Sequence, residues 1–221
     1  MILSFVDDGL LVSQNKWLTV LNSFLFYSYQ IISSPLERFG LRLEYGKTEV
    51  FHFSRSHGMF NPPPLDLSSI GGPILHPKNT WRYLGFIFDR KLFFWHHINF
   101  YVNKAISTVK CMKILGNSVH SLVPQQKWLL YRNCALPITL YGFQLWFYNK
   151  VPLSYLLKEL NEIQRRAAIW ILGTFHTLPS YEIEAIISLI FIHLYLQKLS
   201  SRLQLRAHSL LYNHILRSLI E

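Results

Sequence analysis

The apolar residues of this chain change their period once, and that change bounds the folds it can take. Up to about residue 95 they come in short runs punctuated by Gly, Pro, Asn and Asp, the pattern of strands and tight turns. From Ile98 onward they recur at steps of three and four, the pattern of helices. The 221 residues therefore read as α+β, with a β-rich region 1–95 followed by an all-helical region 96–221. The charge steps at the same place. Residues 1–89 hold seven basic and seven acidic side chains, whereas residues 90–221 hold fifteen against five. A basic excess confined to one region points to a polyanionic partner, most often nucleic acid, although a solvated basic face has the same composition.

In the first region, residues 2–6 and 10–13 read as strands around Asp7-Asp8-Gly9, with Asp-Gly as the turn signal. Trp17, Leu21, Phe24, Tyr27 and Ile31 predict a helix. Ser34, Pro35 and Glu37 form a capping-box pattern that predicts a kink or restart, and Gly40 a stop. Residues 41–45 and 48–53 read as strands around Gly46-Lys47, residues 65–77 as a hairpin on Gly71-Gly72, and residues 81–89 as one strand with a bulge at Gly85. Helices are predicted over 98–115, 124–136, 137–147, 152–172, 180–199 and 201–220.

Cys111 and Cys134 form no metal-binding pattern and read as buried free thiols of a reducing compartment. The first residues carry no basic stretch of a signal peptide, and no apolar run reaches the roughly 20 residues of a membrane span. The expectation is an intracellular chain, in nucleus or cytoplasm, away from membranes. The mean hydropathy of +0.18 suggests apolar surface that meets another part of a larger protein.

Two adjacent carboxylates on a hairpin repel each other unless a divalent cation lies between them. Phe5-Val6-Asp7-Asp8 resembles the active-site hairpin of reverse transcriptases, [YF]-x-D-D. Four later stretches resemble the same family, in the family's order. GLRLEYGKTEVFHFS (40–54) is similar to the LGL…KTE…F stretch, and residues 62–98, with their YLG, to the hairpin that closes the palm. Residues 124–146 (YG…W) and 160–185 (QRRA…) are similar to the thumb and connection of non-LTR, LINE-like retrotransposon polymerases.

That resemblance implies roles. Asp7 and Asp8 would hold Mg²⁺ for two-metal nucleotidyl transfer, and Lys47 would neutralise the leaving pyrophosphate or donate a proton. Val6 would touch the primer end or incoming nucleotide, and Trp81, Tyr83, Leu84 and Gly85 would form the primer grip. Lys158, Arg165 and Arg166 would contact phosphates of the RNA template or the RNA–DNA duplex, or form a solvated basic face. His96 and His97, adjacent at a helix start, point different ways and suit packing better than a shared metal. Trp128, Trp146 and Trp170 read as core.

The family has fingers and the first half of the palm before this hairpin, and they supply a further metal-binding aspartate. The expectation is thus a partial palm plus thumb and connection helices, inactive alone and completed by a chain supplying the rest. The alternatives are a non-catalytic basic nucleic-acid-binding module and a non-functional relic.

Overall fold

A computed structural model describes residues 2–5, 8–41, 43–54, 62–115, 122–147 and 153–209. The architecture is α+β. The chain divides into two units, Met1–Leu92 and Phe93–Glu221.

In the first unit β1 (Ile2–Phe5) pairs antiparallel with β2 (Asp8–Leu11), Phe5 opposite Asp8 and Ile2 opposite Leu11. This corrects the predicted turn. The register leaves only two connecting residues, so Asp8 and Gly9 are strand residues, Gly9 opposite Ser4. Val6 and Asp7 lie outside the described residues. Helix α1 (Leu18–Arg38) runs through Ser34 and Pro35 without the expected break. Pro35 donates nothing to the carbonyl of Ile31, but Ile31 faces solvent, where water replaces the lost bond. Gly40, at φ +73°, ends the helix as expected. Its N–H donates to Glu37 O and that of Leu41 to Leu36 O, a Schellman motif.

The stripe that predicts α1 is mostly its outer face. Phe24, Tyr27 and Ile31 are 53%, 61% and 70% exposed. The inner face is Leu25, Phe26 and Tyr29, packed with Val50, Leu65, Leu67 and Leu75. Burial pushes the Tyr29 phenol up to about 12. Strands β3 (Leu65–Asp66) and β4 (Ile74–Leu75) form the expected hairpin, closed by a 3₁₀ turn at Ser68–Ile70 and by Gly71 at φ +76°. Asp66 Oδ1 accepts from the Ser68 N–H at 2.8 Å, and the Ser68 hydroxyl together with that N–H holds the carboxyl below the usual range. Gly72 lies so close to Leu67 that a Cβ there would meet the Leu67 Cβ at 2.8 Å.

The strands expected at 41–45 and 48–53 do not form. Tyr45–Lys47 is a 3₁₀ turn, and residues 48–54 are held by one parallel bridge, Phe51 to Lys78, and by Ser54 N–H donating to Arg90 O. Val50 and His52 still point inward, so alternation governs burial here without a ladder. The single strand expected over 81–89 is a hairpin, β5 (Thr80–Tyr83) against β6 (Phe86–Asp89). Leu84 and Gly85 are its two-residue turn, at φ +48° and +81°. That is the left-handed pair a tight hairpin requires, so Gly85 is a turn glycine and not a bulge.

The second unit is helical. In α2 (Trp95–Leu115) the predicted face of Ile98, Val102, Ala105, Val109 and Met112 is buried. His97 is fully buried, its Nε2 2.9 Å from the carbonyl of Tyr141, whereas His96 is exposed. A carbonyl only accepts, so Nε2 carries the proton. Trp146 Nε1 donates to the same oxygen at 3.1 Å.

Helix α3 (Pro124–Leu130) does not stop before Pro137. It widens into a π turn at Tyr131–Ala135 and continues as α4 (Leu136–Thr139). The wider turn makes room where the proline ring would meet the preceding turn. Gly142, at φ +72°, starts the short α5 (Phe143–Trp146).

Helix α6 (Leu153–Leu172) ends at Gly173, at φ +69°. The long helix expected over 180–199 is two, α7 (Ser180–Ile186) and α8 (Ile192–His208). Between them Ser188 takes φ +53°, with Ser188 N–H donating to Ala185 O and Leu189 N–H to Glu184 O. Trp146 and Trp170 are buried as expected. Cys111 and Cys134 are free but exposed, which corrects their assignment to the core. No helix among the described residues is long and apolar enough to cross a membrane.

Burial holds the His97 imidazole below its usual value, with the Tyr141 hydrogen bond opposing in part. The unfolded chain then binds the proton more readily, so this stability is full above about pH 6.5 and falls as pH drops below it. His52, lowered by burial and by Arg90, adds in the same direction. We expect the melting temperature to fall between pH 7.5 and 5.5. His97→Gln, which keeps a donor for Tyr141 O, should shrink that fall; an unchanged pH slope would count against a buried neutral His97.

Candidate nucleic-acid interface

The β5–β6 hairpin carries its rings on one face because alternate strand residues share a face. Trp81 and Tyr83 stack at 5.1 Å, and Trp81 meets its cross-strand partner Phe88 at 5.3 Å. Phe86 lies 6.2 Å from Phe88. Phe51 and Phe53, two residues apart, extend the sheet of rings, Phe51 stacked on Trp81 at 6.1 Å and Phe53 edge-on to Phe88 at 6.1 Å. Phe53 is exposed and the other five are half-buried. Such a face offers flat apolar area to bases or sugars, since every base has a π face.

Leu84 at the tip closes the tight turn with a left-handed backbone, which costs a leucine roughly 1–2 kcal/mol. Strain of this kind concentrates where function over-determines the backbone. Trp81, Tyr83, Leu84 and Gly85 stand out in the sequence through the YLG motif. Phe51, Phe53, Phe86 and Phe88 do not, and their F-x-F spacing was the available signal.

Asp8 is exposed on β2, and Lys47 is exposed at the end of its 3₁₀ turn. Among the described residues neither side chain has a hydrogen bond or ion pair. Asp7 and Val6 lie outside the described residues. No group of three or more His, Cys, Asp or Glu that could hold a metal occurs among the described residues.

In the second unit Lys158 is exposed on α6. Arg165 is engaged within the fold: Nη1 donates to Ser180 Oγ at 2.7 Å and Nη2 to His176 O. Arg166 pairs with Glu162 one turn back at 2.8 Å. Gln164, buried, donates through Nε2 to Glu184 Oε1 at 2.9 Å and to Ile190 O at 3.2 Å. Burial raises the Glu184 carboxyl, against the Gln164 hydrogen bond and the Arg165 and His193 charges. Other basic groups lie over rings: Arg132 over Trp128 at 5.1 Å and Lys127 over Trp170 at 5.8 Å.

Among known proteins the chain matches no family model and no solved structure. A Drosophila melanogaster protein described as "Probable RNA-directed DNA polymerase from transposon BS" is 29% identical over 83 residues. The similarity is to a reverse transcriptase. It covers 38% of this chain and 9% of that protein.

Two substitutions probe these sites by stability. Leu84→Gly should raise the unfolding free energy by about 1 kcal/mol, because glycine tolerates the left-handed turn. A loss of stability in urea melts would show that Leu84 side-chain contacts outweigh the strain. Arg165→Ala should cost about 1–2 kcal/mol by removing two hydrogen bonds from a charged group; a neutral effect would mean those bonds contribute nothing net.

Proposed function

We propose that this chain is part of the reverse transcriptase of a non-LTR, LINE-like retrotransposon, with residues 1–95 as palm and 96–221 as thumb and connection. The similarity to a transposon RNA-directed DNA polymerase carries the reading. The aromatic face behind a strained two-residue tip supports Trp81, Tyr83, Leu84 and Gly85 as the primer grip, since a tip this tight lets a sugar–phosphate strand come close. The RNA template and its RNA–DNA duplex are the ligands. Lys158 and Arg166 are the exposed basic groups of α6 for a phosphate, Arg166 paired with Glu162 and Arg165 held within the fold beside them.

The donor set fits a first pair of Mg²⁺ ligands. Mg²⁺ keeps several waters and takes one or two carboxylates plus substrate phosphates, and Asp8 is an exposed carboxylate with Asp7 next to it in sequence. When bound, Mg²⁺ neutralises the nucleotide phosphates and favours attack by the primer hydroxyl. Lys47 meets the charge of the leaving pyrophosphate, and Val6 lies against the primer end. A third carboxylate comes from another chain or segment, together with the fingers. The exposed stripe of Phe24, Tyr27 and Ile31 supports a protein surface meeting α1. We place the chain in the nucleus or cytoplasm, with its RNA.

The alternative is a basic clamp without catalysis, and one experiment addresses both. RNA–DNA duplex binding by the purified chain should weaken steeply between 50 and 200 mM salt, by roughly tenfold or more. It should survive Asp7→Asn with Asp8→Asn. Primer extension with Mg²⁺ should be absent with this chain alone and appear when fingers and front palm are supplied in trans, dependent on both aspartates. Absence of duplex binding at 50 mM salt would end the reading; extension indifferent to the aspartates would leave only the clamp.

A further inference from the structure

In the first unit a cleft of about 420 Å³ opens between the loop at Pro62–Pro64, residues 76–79 and the end of β6. That is the size of a small-molecule site, which runs roughly 300–1,000 Å³. Its polar lining is His52, His76, Lys78, Asn79 and Arg90, and the rest is proline. No carboxylate is among the described residues that line it. Proline brings no N–H, and the carbonyls of Pro63 and Pro64 already accept from Asn22 Nδ2 at 3.4 and 3.2 Å.

Two of these groups have side-chain nitrogens without a partner among the described residues. Arg90 Nε and Nη2, and His52 Nε2, are buried and make no hydrogen bond among the described residues. Nε and Nη2 are one edge of the guanidinium, the fork that meets two oxygens of one anion. Lys78 is paired with Glu49, but Arg90 has no ion pair among the described residues. Arg90 is close enough to lower the basicity of His52, so the two share one environment. A buried guanidinium edge without an acceptor is costly, and an oxyanion relieves the cost. Prolines from two segments, Pro62–Pro64 and Pro77, hold such a site open in shape without competing for the anion.

We propose that this cleft binds a phosphate group of a nucleic-acid strand, through the guanidinium of Arg90, turned so that its buried Nε–Nη2 edge faces the cleft, and the imidazole of His52, with Lys78 and His76 at its rim. A phosphodiester suits it better than a planar carboxylate, because its two non-bridging oxygens are tetrahedrally disposed and can be met by Arg90 and His52 from two directions. Arg90 lies five residues beyond Gly85, about 16 Å along an extended strand, so this contact is separate from the hairpin tip. Nucleic acid as the source of the phosphate rests on the reverse-transcriptase reading; the oxyanion site itself does not.

The test titrates the ¹⁵N-labelled full chain with inorganic phosphate at constant ionic strength. Saturable shifts of the Arg90 Nε–H and of the His52 ring are expected, together with a rise in melting temperature that chloride does not produce. Arg90→Gln should abolish the shifts, and Arg90→Lys, with the charge but no fork, should weaken phosphate roughly tenfold. Arg90→Gln should also weaken RNA–DNA duplex binding roughly tenfold and lower its salt slope by about one. If Arg90→Gln unfolds, His52→Gln and the wild-type phosphate titration still decide. No saturable phosphate response in the wild type would overturn the site and leave Arg90 a structural residue. Phosphate binding with duplex affinity unmoved by Arg90→Gln would overturn the nucleic-acid assignment and make free phosphate or a nucleotide the ligand.

Discussion

A two-stranded ribbon satisfies half of its backbone groups and covers one face, and residues 2–92 are shaped by that shortfall. Three such ribbons occur there, each paired only within itself among the described residues. A lone hairpin is marginal in water. Two different remedies are visible. The β3–β4 ribbon is roofed by the inner face of α1, through Leu25, Phe26 and Tyr29. The β5–β6 ribbon is stiffened by rings, with Phe51 and Phe53 laid along Trp81 and Phe88. Its core is therefore a sheet of aromatic contacts, each pair worth about 0.5–1.5 kcal/mol beyond area.

The helical unit solves its problem internally, with a few polar atoms at the joints. The carbonyl of Tyr141 receives both His97 and Trp146, so one oxygen ties α2 to the turn and to α5. Gly142 makes this possible, because its left-handed backbone folds the chain back so that an indole four residues on reaches that oxygen. Gln164 and Arg165 do the same for α6, reaching α7 and the segment before it. Residues that read as a recognition motif thus have a physical reason for their spacing that is independent of any ligand.

The α+β order and the buried face of α2 were legible, because periodicity reports directly on burial. So were the stops at Gly40 and Gly173, where only glycine meets the backbone demand cheaply. The misreadings share a cause. Ser188 ends a helix with a motif usually marked by glycine, and Leu84 turns a hairpin where asparagine or glycine is usual. Pro35 and Pro137 sit inside helical runs that composition says they should stop. In each, the surroundings, packed or solvated, override a local preference of about 1–3 kcal/mol. The aromatic face was half legible, since the hairpin fold that brings Trp81 opposite Phe88 depends on recognising the turn. The cleft at Arg90 was not legible, because its parts come from four separated segments and none forms a motif.

The π turn at Tyr131–Ala135 preserves the rotational phase of the helix beyond it. A regular α-helix advances 100° per residue, but the wider π turn spends one additional residue on nearly the same rotation, so the helix beyond it keeps its phase. Tyr131 and Ala135 are buried on one side of the turn, and Leu136 and Leu140 beyond it. Deleting one residue inside the π turn would restore a regular helix and leave Leu136 and Leu140 facing α2, whereas deleting one from the α-helical turns on either side would swing them by about 100°. The π turn is therefore the one place along Pro124–Thr139 where the chain can lose a residue without turning its buried face.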